Sequence, residues 1–320
     1  MGKPTVFIDG SSGTTGLRIR EQLEARDDID VLVLPDDRRR DPEARKAAGN
    51  EADLMILCLP DDAAREAVSW ISSSDTKVID ASTAHRVSET WAYGLPEMDE
   101  DQRDRVRSSK RVSNPGCYPT GVILSIKPLV NEGLLSQETP LTVHALSGYT
   151  GGGKNMIARW EDPGTELDSL AFESPYALET KHKHVPEMTQ FSGLNHPPQF
   201  IPSVGPFTTG MRIEMPLHRS VLSDGANAES IWETLNERYA GEEFVNVTPM
   251  GAVERQLEPA FDPRVCDGTN RIDLAVIPNE LGHVLLVAQL DNLGKGASGA
   301  AVQNMNLMLG FDESEGLRVV

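Results

Sequence analysis

Apolar runs alternate with helical patterns over the first third of the chain. An apolar run at residues 5–9 leads into a glycine-rich turn, and a helical pattern of apolar positions follows at 17–23. The alternation continues with strands predicted at 31–34, 54–59 and 77–80 and a helix at 61–71. Strands that alternate with helices indicate a doubly wound parallel sheet, so we predict a Rossmann-type α/β domain over residues 1–115.

A different pattern begins near residue 139. Three longer runs, in which apolar and polar positions partly alternate, lie at 141–146, 272–277 and 283–290. Such runs are typical of a mostly antiparallel sheet, and Gly-rich residues 151–153 and Pro-rich residues 195–206 are predicted to be loops that interrupt it. We therefore predict a second domain of the α+β class over residues 116–294, and a helix at 297–309.

Size and charge narrow the function classes. The chain has 320 residues, which suits two domains, and a net charge of −19. A field of this sign repels the phosphates of nucleic acids and of anionic lipids, so we expect neither as a partner. Because there is no apolar run near 18 residues and no charged-then-apolar leader, we expect no membrane span, no secretion and a cytoplasmic location.

Two of the three cysteines have ordinary settings. No C-x-x-C spacing occurs, so neither a disulfide framework nor a metal site is predicted. Cys58 lies in an apolar run and is expected to pack in the core, while Cys266 lies in a polar loop with no activating neighbour in sequence. We assign both a structural role.

Cys117 has a setting that favours chemistry. Residues 113–121 (SNPGCYPTG) precede an apolar-periodic stretch at 122–129, which predicts a helix start close to the cysteine. Backbone N–H groups at a helix N-terminus lower the pKa of a thiol and can hold a developing oxyanion. We predict that Cys117 is a nucleophile, the alternative being an inert thiol.

A proton acceptor is offered by residues 181–187 (KHKHVPE). An imidazole exchanges protons near neutral pH, and Glu187 could orient it. In an extended segment His182 and His184 would point to opposite faces, so we expect one of them to face Cys117 and favour His184. A basic surface stretch and a fragment of a metal site are the alternatives, although no further metal ligands are found.

The turn after the first strand has the spacing G-x-x-G-x-x-G rather than the G-x-G-x-x-G of the dinucleotide fingerprint. Backbone N–H groups and hydroxyls at a helix start favour an anion, so we expect a pyrophosphate there. A glycine-rich turn without a ligand is the alternative. The residues assigned to the cofactor are Gly10, Ser12, Gly13, Thr14, Thr15 and Gly16.

Residues 36–40 (DDRRR) follow the second predicted strand, where a dinucleotide fold contacts the adenosine ribose. An acidic residue there favours the free 2′-hydroxyl of NAD, whereas arginine favours the 2′-phosphate of NADP. Because guanidinium groups create a cationic patch in an acidic chain, we prefer NADP and assign Arg38 and Arg39 to it. A solvated charged loop is the alternative.

Two further cations, Arg86 and Lys154, follow the ends of predicted strands. Each could bind a substrate phosphate or be an ordinary surface charge.

Four blocks together carry a family resemblance: 10–17 (GSSGTTGL), 113–120 (SNPGCYPT), 182–187 (HKHVPE) and 291–306 (DNLGKGASGAAVQNMN). The chain resembles the N-acetyl-gamma-glutamyl-phosphate reductases of the shorter type 2 form, within the aspartate-semialdehyde dehydrogenase superfamily. The resemblance covers residues 6–309, nearly the whole chain.

The resemblance implies NADPH-dependent reduction of N-acetyl-L-glutamate 5-phosphate to the 5-semialdehyde in arginine biosynthesis. Cys117 then matches the family nucleophile and His184, or His182, the acid/base: the thiolate attacks the acyl phosphate, phosphate leaves, and a hydride reduces the thioester. It further implies that residues 116–294 form the catalytic and dimerisation domain and that residues 295–320 return to the first domain near the nicotinamide. Subunits are then expected to form homodimers or homotetramers. We assign Asn292 to the cofactor, and Arg86, Asn114, Lys154 and Glu187 to the substrate.

Two other functions remain open at this point. An aspartate-semialdehyde dehydrogenase or a lysine-pathway relative would use the same thioester chemistry on another acyl phosphate. A non-catalytic dinucleotide sensor would bind the cofactor and use Cys117 as a redox-responsive thiol.

Overall fold

The computed structural model describes residues 2–73, 75–162, 164, 172–179, 181–252 and 261–320. The chain divides into two compact units, which are described separately. Unit 1 consists of Met1–Pro115 and Ala297–Leu317, and unit 2 of Gly116–Gly296 and Arg318–Val320.

Unit 1 is built on a parallel sheet. Its described strands are β1 (Thr5–Asp9), β2 (Asp30–Leu32), β3 (Leu54–Leu57), β4 (Lys77–Asp80), β5 (Ala92–Tyr93) and β6 (Arg111–Ser113), in the order β2-β1-β3-β4-β6-β5. The first four helices are α1 (Thr14–Glu24), α2 (Pro42–Glu51), α3 (Asp61–Ser69) and α4 (Gln102–Ser108). The pairs are all parallel, which confirms the predicted Rossmann-type sheet.

Alternation along β1 gives unit 1 two apolar layers. Val6 and Ile8 pack in one cluster with Ile19 of α1, whereas Phe7 packs in a second cluster with Met55 and with residues of α2 and α3. Successive side chains of a strand point to opposite faces, so helices on both sides of the sheet are needed to bury them.

Unit 2 is built on a mixed, mostly antiparallel sheet. Its described strands are β7 (Thr142–Gly148), β8 (Ser174–Pro175), β9 (Gln199–Gly205), β10 (Met211–Leu217), β11 (Val245–Val247), β12 (Ile272–Pro278) and β13 (Val284–Leu290). Their order is β11-β12-β13-β10-β7-β9-β8, with parallel pairing for β7–β9 and β11–β12 and antiparallel pairing elsewhere. The helices are α5 (Cys117–Asn131), α6 (Gly153–Glu161), α7 (Val185–Ser192) and α8 (Ala228–Arg238).

The Pro-rich segment 195–206 differs from the prediction of a loop, because residues 199–205 form β9 inside the sheet. Pro202 pairs in register with Ala145 of β7, and its carbonyl accepts the N–H of Tyr176 on the other side at 3.0 Å. The missing N–H of Pro202 faces that same side, where β8 pairs only with Ser203 and Val204. A proline is tolerated there because the neighbouring strand has already ended.

Helix α9 (Gly299–Leu309) completes unit 1. The helical pattern at 297–309 predicted this element, and the structure adds a π-helical turn at Gly294–Ser298 before it. Ala301, Val302 and Met305 join the apolar cluster of β1 and α1. None of the described helices combines the length and the apolar composition needed to cross a membrane.

Candidate active site

The glycine turn between β1 and α1 is tightly packed against neighbouring backbone. Gly10 has a φ of +87°, and a Cβ at this position would lie 2.3 Å from the carbonyl oxygen of Cys58. A Cβ at Gly16 would lie 2.4 Å from the carbonyl oxygen of Gly10, whereas one at Gly13 would meet nothing closer than 3.5 Å. Gly10 and Gly16 are therefore required by packing, and Gly13 leaves room above the turn.

The start of α1 fits an anion. Gly13 is the N-cap, with no side-chain cap and no acidic residue in the first turn. Thr14 Oγ1 is buried with no hydrogen-bond partner among the described residues, while Ser12 is exposed and Thr15 half-buried. An uncapped helix N-terminus with an unsatisfied hydroxyl is a suitable cradle for a pyrophosphate.

Arg38 and Arg39 lie in an exposed turn after β2. Their guanidinium groups make only loose ion pairs, Arg38 with Asp41 at 3.7 Å and Arg39 with Asp36 at 3.4 Å. Exposed ion pairs of this length contribute little to stability, so both guanidinium groups can leave them to bind a phosphate.

The segment after β4 is built around a buried carboxylate. Asp80 accepts the N–H of Ser82 at 2.9 Å and contacts His85 Nδ1 at 2.6 Å, and the His85 ring stacks on Trp91. Arg86, predicted to contact the substrate, is 7% exposed and donates to the carbonyl of Ala81 at 3.2 Å. The loop thus holds Arg86 close against its own backbone.

Asn114, at the end of β6, is 1% exposed. Its Nδ2 donates to the carbonyl of Ala297 at 2.9 Å, and its Oδ1 accepts from Asn304 Nδ2 at 3.1 Å. The side chain predicted to touch the substrate therefore joins β6 to the start and middle of the last helical segment of unit 1.

Cys117 is the first residue of α5, as the sequence predicted, and Gly116 is the N-cap. The N–H of Gly116 donates to Glu187 Oε2 of α7 at 3.0 Å, and Glu187 is 1% exposed. Glu187 is expected to orient a histidine or bind substrate, and its carboxylate also fixes the backbone just before Cys117. Gly296 lies on the other side, where an added Cβ would be 2.7 Å from Cys117 Cβ.

His182 and His184 lie together, so the expectation that they point to opposite faces is wrong. Their ring centroids are 4.7 Å apart, and each is 5.8 Å from the ring of Tyr118. The reason is that the segment turns, with the N–H of Val185 bonded to the carbonyl of His182 at 3.0 Å, and does not run as an extended strand.

Two phenols complete this cluster, and sequence reasoning missed one of them. Tyr118 Oη lies 3.1 Å from Tyr176 Oη, which in turn lies 3.5 Å from His182 Nε2. Burial raises the pKa of Tyr118 well above its ordinary value and that of Tyr176 to about 12, and the charge of a Cys117 thiolate adds to both shifts. No local pattern marks Tyr176, which reaches the site through the pairing of β8 with β9.

The other predicted residues of unit 2 lie as follows. Asn292, assigned to the cofactor, accepts the N–H of Gly210 at 2.8 Å and donates to Thr150 Oγ1 at 3.1 Å. The structure therefore gives it a positioning role within its own unit. Lys154 is exposed, one residue into α6.

Cys58 and Cys266 behave as structural thiols. Burial is the main cause that raises the pKa of each to about 12. Cys266 is fully buried, and its Sγ donates to the carbonyl of Gln289 at 3.4 Å. In the described ranges, no three His, Cys, Asp or Glu side chains gather as they would around a metal ion.

Two family profiles match the chain. Residues 39–106 match the semialdehyde dehydrogenase NAD binding domain, and residues 117–292 match the semialdehyde dehydrogenase dimerisation domain.

Three similar proteins extend over nearly the full chain. N-acetyl-gamma-glutamyl-phosphate reductase 2 of a Nostoc species is 46% identical, with 99% of this chain and 100% of that protein covered. The protein of the same name from Pseudomonas putida is 48% identical at the same coverage. N-acetyl-gamma-glutamyl-phosphate reductase of Sinorhizobium fredii is 49% identical, with 96% and 99% covered.

Among solved structures, aspartate semialdehyde dehydrogenase II of Vibrio cholerae, crystallised with ASA, has a TM-score of 0.73 at 14% identity, with 97% of this chain and 99% of that chain covered. At this identity the likeness shows the fold.

Proposed function

The chain belongs to the N-acetyl-gamma-glutamyl-phosphate reductases, and we propose that it reduces N-acetyl-L-glutamate 5-phosphate to N-acetyl-L-glutamate 5-semialdehyde, a step in arginine biosynthesis, through a thioester on Cys117. The observation that carries this role is the place of Cys117 as the first residue of α5, in electrostatic range of the Tyr118 and Tyr176 phenols. Next to it, the Tyr118 ring contacts both candidate histidines.

The first step is nucleophilic. The Cys117 sulfur attacks the carbonyl carbon of the acyl phosphate, a C–S bond forms, the C–O bond to the phosphoryl group breaks, and phosphate leaves. The first turn of α5 holds no acidic residue. The positive end of its dipole therefore stabilises negative charge on the sulfur and on the carbonyl oxygen.

The leaving phosphate takes one proton, and we assign its delivery to the imidazolium form of His182, which arises when the ring takes the proton of the Cys117 thiol. His182 Nδ1 accepts the N–H of His184 at 3.2 Å, so the neutral ring carries its proton on Nε2. His184 is 7% exposed, and burial disfavours a charged imidazolium, whereas His182 is half-buried. This supports His182 over His184, which the sequence favoured. Proton transfer of this kind contributes about 10²- to 10⁴-fold to the rate.

NADPH is the cofactor, and when bound it supplies the hydride that reduces the thioester carbon. The N–H groups of the glycine turn and Thr14 would hold its pyrophosphate, and Arg38 and Arg39 its 2′-phosphate. After reduction, Cys117 leaves as a thiolate and the aldehyde is released.

We also propose that the enzyme works in the cytoplasm as a homodimer or homotetramer. The match of residues 117–292 to a dimerisation domain supports self-association. Light scattering coupled to size exclusion would measure the mass of the assembly, and a monomer at micromolar concentration would contradict the proposal.

The reaction is best tested in the phosphate-dependent reverse direction, with N-acetylglutamate semialdehyde and aspartate semialdehyde as competing substrates. We expect turnover of the N-acetylated aldehyde with NADP and loss of at least about 10³-fold in Cys117→Ser, because a hydroxyl is a much weaker nucleophile than a thiolate. Mass spectrometry of the enzyme mixed with acyl phosphate alone should locate an acyl group on Cys117.

Each alternative has its own outcome in this experiment. Preference for aspartate semialdehyde would identify a relative that acts on another acyl phosphate. Binding of NADP without turnover of either aldehyde would indicate a dinucleotide sensor. Full activity in Cys117→Ser would exclude the thioester route.

A further inference from the structure

Tyr176 is held in the cluster at a conformational cost. Its backbone N–H is fixed by the carbonyl of Pro202 at 3.0 Å, and the next residue, Ala177, has a φ of +48°. A left-handed conformation is unfavourable for alanine, and such strain persists only where the surroundings enforce it. The strain lies directly beside the residue whose phenol reaches His182.

The donors and acceptors around His182 can be assigned. The backbone N–H of His184 donates to Nδ1 at 3.2 Å, which leaves the proton of the neutral ring on Nε2. Tyr176 Oη, 3.5 Å from Nε2, is then the acceptor of that proton. The contact is long, as hydrogen bonds of a free active site often are.

Tyr176 Oη also lies 3.1 Å from Tyr118 Oη, and either phenol can be the donor in this contact. Together with the backbone N–H of His184, the imidazole and the two phenols form one hydrogen-bonded chain whose direction is set at His182.

We propose that Tyr176 is a positioning residue that, in contact with Tyr118, orients His182 and stabilises its imidazolium form, the form that can protonate the leaving phosphate. The proposal rests on the proposed function and deepens it. Tyr176 accepts from both the neutral and the charged ring, and the bond from the imidazolium is the stronger one. Tyr176 therefore favours the protonated form of His182.

The groups that face His182 come from several elements. They are Tyr118 of α5, Tyr176 after β8, Phe200 of β9, and His184. The charge of a Cys117 thiolate raises the pKa of both phenols. Lys181 and Lys183 are its exposed neighbours in the chain. Because the pKa of Tyr176 is about 12, its hydroxyl stays protonated over the working range.

The test is Tyr176→Phe, which keeps the ring and removes the acceptor. We expect the titration midpoint of His182, followed by NMR without substrate, to move to lower pH by about 0.5–1 unit, since charged hydrogen bonds exceed neutral ones by about 1 kcal/mol. The alkaline limb of kcat/KM should move in the same direction. Tyr118→Phe should give a smaller shift of the same sign.

Tyr149→Phe is the matched control. Its hydroxyl contacts Thr208 and Glu161 in the same unit and makes no hydrogen bond to the histidines. We expect the NMR titration of His182 and the pH profile of kcat/KM to be unchanged in this variant. Absence of turnover in the wild type would contradict the proposed function. An active Tyr176→Phe whose His182 midpoint and kcat/KM limb do not move, even if its thermal stability falls, would overturn the role of Tyr176.

Discussion

The backbone at Ala177 has a φ of +48°, and the methyl group is the source of the strain. Replacement by glycine removes the clash but adds freedom to the unfolded chain. We expect Ala177→Gly to range from neutral to about 1 kcal/mol more stable in urea unfolding.

Ala158, exposed in the helix α6, is the matched control for this substitution. Glycine inside a helix costs about 0.5–1 kcal/mol, so Ala158→Gly should lower the free energy of unfolding. If Ala177→Gly loses as much stability as Ala158→Gly, the left-handed conformation of Ala177 is not strained in solution.

Among the elements, the start of α5 depends on a carboxylate from α7. Glu187 Oε2 accepts the N–H of Gly116 at 3.0 Å in a buried setting. Glu187→Gln keeps an acceptor, whereas Glu187→Ala leaves a buried donor without one, at a cost of about 1–3 kcal/mol. We expect Gln to retain most stability and kcat, and Ala to lose both.

Thermal unfolding and steady-state rates measured on the two Glu187 variants check this order. Equal losses in both would mean that the negative charge, rather than the hydrogen bond to Gly116, is what the helix start requires.

The turn Gly294–Ser298 approaches the same helix start. A Cβ at Gly296 would lie 2.7 Å from Cys117 Cβ and 3.1 Å from the carbonyl oxygen of Asp291. Because neither neighbour can move far, Gly296→Ala should displace the nucleophile and lower kcat about 10²-fold, the effect of a misplacement near 1 Å.

NADP binding, measured by fluorescence titration, is the control for Gly296→Ala, because the residues proposed to hold the pyrophosphate and the 2′-phosphate do not include Gly296. Retained binding with reduced kcat is the expected result. Wild-type kcat in this variant would contradict the close approach to Cys117.

For the whole molecule, two thiols contribute to the way stability changes at alkaline pH. The pKa of Cys58 and that of Cys266 are raised from 9.0 to about 12, chiefly by burial. Above pH 9 the unfolded chain ionises these thiols and the folded chain does not. The contribution of these two thiols to stability is therefore complete below pH 9 and is lost as the pH rises toward 12.

For Cys266 the loss should reach about 1.4 kcal/mol at pH 10, one unit above its ordinary pKa. Urea unfolding of the wild type and Cys266→Ala between pH 8 and 10.5 measures the difference in slope. Parallel pH profiles for the two proteins would show that Cys266 titrates normally in the folded state.

Much of this architecture was determined by the sequence itself. The runs at 5–9 and 77–80 predicted β1 and β4 with their observed bounds, and the glycine turn and the helix start at Cys117 were also found. These features depend on residues close in the chain: alternation of side chains, the steric freedom of glycine, and the free N–H groups of a first turn.

Other features depended on contacts that no local pattern contains. Pro202 lies in a strand because its edge neighbour has ended, and the two histidines share one cluster because the chain turns at Val185. Glu187 reaches Gly116, and Tyr176 reaches His182 and Tyr118, only after distant elements pack. Sequence periodicity encodes which face of an element is buried. Tertiary packing decides which side chains meet there, because the free energy of a contact depends on both of the residues that form it.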